Sequence, residues 1–328
     1  MLLFFYIKMK FRKVIVTGGC GFIGSHLVDK LIENSEKVIV IDNLSYSTTR
    51  YIEKHVENGV VDFVKADVRN LNLMKKITRE VDAVFHMAAQ PDVRLSVKFP
   101  LKDFSCNTIG TLTMLEACRI NDVEKFIFAS SGGTIYGLSS KPAGEDHPLD
   151  PISIYGASKA SCEMYLRAYS YLYGIKAVSL RYGNIYGPRS TRGVIYDFFM
   201  KLRSNPKKLT VLGDGMQCKS YLYISDCVEA TLLVAKAETG RFDAFNVSSP
   251  EVITVRKIAK IVIETLGLKD VAIEYTGGKA GWPGDVYMIR VDCSKLFSLG
   301  WKIKVPFKKG VEMYIKWLIN EYGFPKTK

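Results

Sequence analysis

KVIVTGGCGFIGSHLVDKLIE, residues 13–33, decides the fold. The β-branched run KVIVT reads as a buried strand, and the residues after Gly24 read as a helix. Between them Gly18, Gly21 and Gly24 form a GxxGxxG turn. The first glycine permits a tight turn, the second lets backbone approach a pyrophosphate, and the third lets helix and strand pack closely. The N–H groups of the helix then face the phosphates. A glycine triplet alone is also what a tight structural turn needs, so its surroundings must carry the reading.

Outward from this stretch, a second strand KVIVID ends at Asp42, 18 residues beyond Gly24. An acid there accepts hydrogen bonds from an adenosine ribose and repels a 2′-phosphate, which selects NAD over NADP. An acidic helix cap is the alternative for Asp42. Asp67, after VVDFVKA, is placed to meet the adenine edge, and Ala88 and Ala89, after AVFHM, are small enough to let a cofactor pass the strand end. A turn residue and simple packing would account for them equally well.

Short apolar runs at 13–17, 37–41, 60–65, 83–86, 125–129 and 176–181 alternate with helical stretches. This rhythm predicts an α/β fold, a Rossmann-like doubly wound parallel sheet covered on both faces. After Gly183 the rhythm gives way to Gly/Pro-containing stretches and helical segments such as 255–266. The expected division is an NAD-binding domain over 1–182 and a smaller α/β substrate-binding domain over 183–328, closed around one cleft. No internal repeat or Pro-rich linker interrupts it.

The 328 residues are 48% hydrophobic and 24% charged, a globular profile. Seven scattered cysteines without a CxxC pair fit neither a disulfide framework nor a zinc site, and favour a reducing cytoplasm. The net charge of +13 suits RNA or a di-anionic nucleotide, but lysines spread along the chain also make a solvated basic surface. Leu2 to Ile7 is too short for a signal-peptide core or a membrane span. Met9, opening KFRKVIVTGG, is the expected translation start, which would make residues 1–8 dispensable. Four separated histidines and the absence of HExxH give no metal site and no hydrolase triad.

YGASK places Tyr155 and Lys159 four residues apart, on one face of a helix. A tyrosine is a poor base at neutral pH, but an ammonium and a positive nicotinamide both favour its phenolate. YxxxK alone is common on surface helices; here it follows the fifth strand and SSGGTIYG.

In order along the chain, TGGCGFIGSH, DNLS, HMAAQ, SSGGTIYG, YGASK and RYGNIYGPR resemble the extended short-chain dehydrogenases/reductases of the NAD-dependent epimerase/dehydratase family. The likeness is greatest to UDP-glucose 4-epimerases of the archaeal and thermophilic kind, and it covers nearly the whole chain. The resemblance implies a bound NAD held by Gly18, Gly21, Phe22, Ile23, Gly24, Asp42, Asn43, Asp67, Val68, Ala88, Ala89, Asn107, Tyr155 and Lys159. It implies Tyr155 as general base, Lys159 gripping the nicotinamide ribose, and a 4-keto sugar intermediate. For a UDP-sugar substrate it points to Asn184 and Lys219 near the diphosphate and Asp285 at the nucleotide ribose. A homodimer is implied through the helices 106–120 and 158–173, with no nucleic-acid or membrane partner.

Departures narrow the reaction. Relatives carry a third hydroxyl residue where Gly132 stands, so Ser131, slightly favoured, or Thr134 must supply a bridging hydroxyl, or each merely caps the strand end. Sugar 4,6-dehydratases carry Asp-Glu where Gly133 and Thr134 stand, and UDP-glucuronate decarboxylases carry a glutamate at the latter. Lys219 and Trp282 stand at or near positions expected to hold arginine, and lysine lacks the bidentate fork of guanidinium. Lys279 and Arg290 are the expected substitutes, and Ile289 is one candidate for setting pocket width. Competing readings are another NAD-dependent nucleotide-sugar dehydratase or decarboxylase, and a non-catalytic NAD- or RNA-binding Rossmann protein.

Overall fold

The computed structural model describes residues 11–139, 141–282 and 284–325; the proposed start at Met9 lies outside them. Six strands follow in chain order, β1 (Phe11–Thr17), β2 (Ser35–Asp42), β3 (Val61–Lys65), β4 (Ala83–His86), β5 (Lys125–Ser131) and β6 (Lys176–Tyr182). Beyond them come β7 (Asn184–Tyr186), β8 (Lys208–Val211), β9 (Cys218–Tyr223), β10 (Phe242–Val247), β11 (Val252–Thr254) and β12 (Ala272–Tyr275). The main sheet is all parallel and runs β10-β6-β5-β4-β1-β2-β3.

Alternate residues of each central strand serve opposite faces. Val14, Val16, Val38, Val40 and Phe85 join one apolar cluster, while Ile15, Ile39, Ile41 and Val84 join another on the other side. Both faces are covered, which is why these strands read as unbroken apolar runs.

Strand order reverses between β1 and β4, and their ends lie level, with Thr17 opposite both Ile41 and His86. A crevice opens beyond the strand ends at such a reversal, and ligands bind there. Smaller sheets, β11-β9-β7 and β12-β8, belong to the later part of the chain. The main sheet nevertheless draws its last strand, β10, from beyond residue 183, the half expected to be the substrate-binding part. Asn246 of β10 fastens that strand, accepting from the Tyr136 hydroxyl (2.7 Å) and donating to the carbonyls of Ala143 (2.9 Å) and Asp292 (2.8 Å).

The helix expected from Cys106 begins earlier, as Pro100–Phe104, passes through a π turn at Ser105–Ile109, and continues as Gly110–Ile120. The helix expected from Ser158 spans Ile154–Tyr173, capped by the Ser153 side chain accepting from the Gly156 N–H. It therefore carries the whole YGASK motif. Leu101, Phe104, Tyr171 and Leu172 on these elements are exposed.

Candidate functional site

A cleft of about 1290 Å³ lies beyond the strand ends. It is lined by Gly18, Gly21, Phe22, Ile23, Gly24, Asp42, Asn43, Asp67, Val68, Ala88, Ala89, Ser131, Thr134, Tyr155, Lys159, Asn184, Lys219 and Asp285, so the structure brings nearly all the expected residues to one place. Asn107 is one exception. It is buried behind the wall, where its Oδ1 accepts from the Gln90 N–H (2.7 Å) and its Nδ2 donates to Ser158 (3.1 Å) and Asp103 (3.1 Å).

At one end, the turn after β1 fits a dinucleotide. Gly18 has φ of +66°, and a Cβ there would stand 2.7 Å from the Ala88 nitrogen. A Cβ on Gly24 would run into the Gly18 carbonyl oxygen. Gly21 caps the helix Phe22–Asn34 without a side chain, leaving its first N–H groups open to a phosphate. Asp42 closes the end of β2, its carboxylate accepting from the N–H of Leu44 (2.8 Å) and of Cys20 (3.1 Å) and from the Ser47 hydroxyl (2.9 Å). Asp67 is held by Arg69 and Asn43, and the Arg69 hydrogen bond above all holds its pKa down to about 2.

At the centre, one helix face presents Tyr155 and Lys159. Lys159 is buried, its Nζ donating to the Ala129 carbonyl at 2.7 Å and lying 4.7 Å from the centre of the Phe128 ring. Burial pushes its pKa from 10.5 to about 8. The Tyr155 hydroxyl is pushed well up, by desolvation first and then by Asp103 and Cys162. His86, at the end of β4, is a packed strand-end residue, bonded to Thr17 (2.8 Å) and Thr111 (3.2 Å), and burial lowers its pKa to about 3.

The β5 end brings Ser130, Ser131, Gly133 and Thr134 to the cleft. A Cβ on Gly132 would stand 2.8 Å from the Arg181 carbonyl oxygen, so that position has no room for a hydroxyl-bearing side chain unless the backbone shifts. The Thr134 hydroxyl is buried without a partner among the described residues. Beneath the strand end, Glu163 and Arg181 form a buried pair (2.7 Å) that also binds Ser130 and Ser179.

At the far end, Lys219 Nζ donates to Asp285 Oδ1 at 2.7 Å, and Asn184 donates to the Ser220 carbonyl at 3.0 Å. Lys279, Arg290 and Ile289 do not line the cleft. Arg94, Arg189 and Arg192 do, and sequence reasoning singled out none of them, because isolated arginines carry no spacing signal.

A family described as NAD dependent epimerase/dehydratase matches residues 14–248. A putative UDP-glucose 4-epimerase of Methanocaldococcus jannaschii is 39% identical over 313 residues, 94% of this chain and 98% of that one. The crystal structure of a UDP-glucose 4-epimerase with UDP-glucose from Thermotoga maritima superposes with a TM-score of 0.87 at 36% identity, covering 94% of this chain and 99% of the other. Human dTDP-D-glucose 4,6-dehydratase is 30% identical over 93% of this chain and 89% of its own.

Proposed function

This chain belongs to the NAD dependent epimerase/dehydratase family, and on that ground we propose that it is a nucleotide-sugar 4-epimerase interconverting UDP-glucose and UDP-galactose, or their N-acetyl or uronic forms. The observation that carries the choice of reaction is the chemistry of the β5 end. In the cleft that Tyr155 lines it offers the hydroxyls of Ser131 and Thr134 and two glycines, with no carboxylate at 132–134. Dehydration needs an acid for the departing hydroxyl and a base for the neighbouring proton. Epimerisation needs one group that takes a proton and returns it.

NAD supplies a reversible hydride acceptor when bound. Tyr155 takes the proton of the sugar 4-hydroxyl as C4 becomes a ketone, and returns it when the ketone is reduced from its other face. Lys159, held on the Ala129 carbonyl and 5.7 Å from the centre of the Tyr155 ring, would grip the nicotinamide ribose when NAD is bound. Thr134 or Ser131 bridges the sugar O4 and Tyr155, and the unpartnered Thr134 hydroxyl favours the former. The assembly we infer is a homodimer, supported by the exposed Leu101, Phe104, Tyr171 and Leu172 on helices packed against one another.

Incubation of the purified protein with UDP-galactose, with and without added NAD, tests the reading. UDP-glucose formed by the protein and not by a Tyr155→Phe variant supports it. No turnover of UDP-galactose, UDP-N-acetylgalactosamine or UDP-glucuronate overturns it.

A further inference from the structure

Arg94, Trp282 and Lys219 meet in the cleft wall, although they come from distant parts of the chain. Arg94 opens the short helix Val93–Lys98 after β4, Lys219 is on β9, and Trp282 lies in the loop after β12. The Arg94 guanidinium carbon is 5.6 Å from the centre of the indole, and Lys219 Nζ is 5.3 Å from it. Asp285 ties down the backbone at Gly281 and Trp282. Asp285, almost fully buried, donates its N–H to the Trp282 carbonyl (3.1 Å) and accepts from the Gly281 N–H (3.0 Å) and Lys219 (2.7 Å). The indole Nε1–H is buried and has no acceptor among the described residues.

The two cations differ in what they still have to give. Lys219 is committed to Asp285. Arg94 has its side chain 65% exposed, and the carboxylate nearest it is Asp92, with Nε 4.0 Å from Oδ1. That same oxygen already accepts from the N–H groups of Arg94 (2.9 Å) and Leu95 (3.2 Å). A guanidinium on an aromatic ring is held through its face, and its in-plane N–H groups stay free for a planar or tetrahedral oxyanion.

We propose that Arg94, seated on Trp282, is a specificity-determining cation that takes an oxyanion of the substrate by a bidentate contact, with Trp282 as the residue that positions it. The inference rests on the nucleotide-sugar reading above. It supplies the guanidinium fork that neither Lys219 nor the remote Lys279 and Arg290 provide. Two oxyanions have the required chemistry, the diphosphate of any nucleotide sugar and a carboxylate on the sugar itself.

Titration calorimetry of the NAD-loaded protein with UDP, UDP-glucose and UDP-glucuronate distinguishes them. Arg94→Gln is expected to weaken binding about tenfold, the scale of a lost charge-assisted hydrogen-bond pair. A loss shared by all three ligands places Arg94 on the diphosphate, and a loss confined to UDP-glucuronate places it on the carboxylate. Trp282→Leu is expected to weaken the same ligands two- to fivefold by unseating the guanidinium. UDP should also shift the indole fluorescence of the wild type and not that of Trp282→Phe. Wild-type affinities for all three ligands in Arg94→Gln would overturn the proposal, and a fluorescence shift that persists in Trp282→Phe would overturn the part given to Trp282. If the wild type binds none of the three, the nucleotide-sugar reading falls and the proposal with it. Since Arg94 is largely exposed, its replacement should leave the melting temperature unchanged.

Discussion

Replacing Lys159 by methionine should make the NAD-free protein more stable near neutral pH while abolishing turnover. The lysine is buried and its pKa falls from 10.5 to about 8. At about 1.4 kcal/mol per pKa unit, carrying the charge into the fold near pH 7 costs about 3 kcal/mol. Methionine keeps the length and apolar contacts of the stem but loses the amine's hydrogen bond to Ala129, about 1 kcal/mol. The net expectation is a gain of about 2 kcal/mol. The slope with pH has the same sign as for a carboxylate of depressed pKa, because in both the unfolded state holds the extra proton; here the charged form is the one that burial penalises. Between about pH 8 and 10.5 the unfolded lysine holds a proton that the folded one has released, so wild-type stability rises with pH across that window. The advantage of Lys159→Met should therefore shrink and approach zero near pH 10. Urea denaturation of both NAD-free proteins near pH 7 and near pH 10 measures it. A variant less stable than wild type at neutral pH, or a difference that does not change with pH, would refute the reasoning.

Thr134→Val should lower kcat by about 10²-fold with little change in KM, and Ser131→Ala by less than tenfold, in the UDP-galactose assay; the opposite ranking would move the bridging role to Ser131. Asp42→Ser should weaken NAD binding about tenfold and improve that of NADP, since it removes a charged acceptor and a charge that repels phosphate, as calorimetry with the two cofactors would report. Leu101→Glu with Leu172→Glu should yield a monomer by light scattering at micromolar concentration if the exposed helix faces close a dimer, while a wild-type monomer would dismiss that assembly.

The parallel sheet was legible because strands buried on both faces are apolar over several consecutive positions, and because glycine at Gly18 and Gly24 is imposed by backbone rather than by choice. The cofactor turn, Asp42 and the Tyr155/Lys159 pair were legible for the same reason, since each is tied to a strand end or a helical repeat. The return of β10 to the sheet was not. Its run FDAFNV is short, and its pairing with β6 closes a loop of some sixty residues that no local pattern records. Asn107 shows a different limit. Its neighbourhood could be inferred, but not that its side chain would be used up by Gln90, Asp103 and Ser158. Arg94 was invisible because its partner, Trp282, lies 188 residues away and touches it only through the fold.

The position of Lys159 bears on how proton transfer is confined to the loaded site. With its amine on the Ala129 carbonyl, the lysine is held to β5, and what the Tyr155 hydroxyl meets is desolvation first, then the carboxyl of Asp103 and the thiol of Cys162, all of which keep it protonated. Burial also raises the pKa of Asp103, so part of that opposition is removed whenever Asp103 holds its proton. Neither group supplies the positive charge that a phenolate needs. The nicotinamide would add positive charge when bound, to that of Lys159, whose Nζ lies 5.7 Å from the centre of the Tyr155 ring. In the NAD-free protein Tyr155 is therefore too weak an acid to lose its proton near neutral pH, and under the proposed function it would act as a base only in the complex. A Tyr155 titration followed by ultraviolet difference absorbance should accordingly move to lower pH on NAD binding, and this movement should be smaller in Lys159→Met, where only the nicotinamide charge remains.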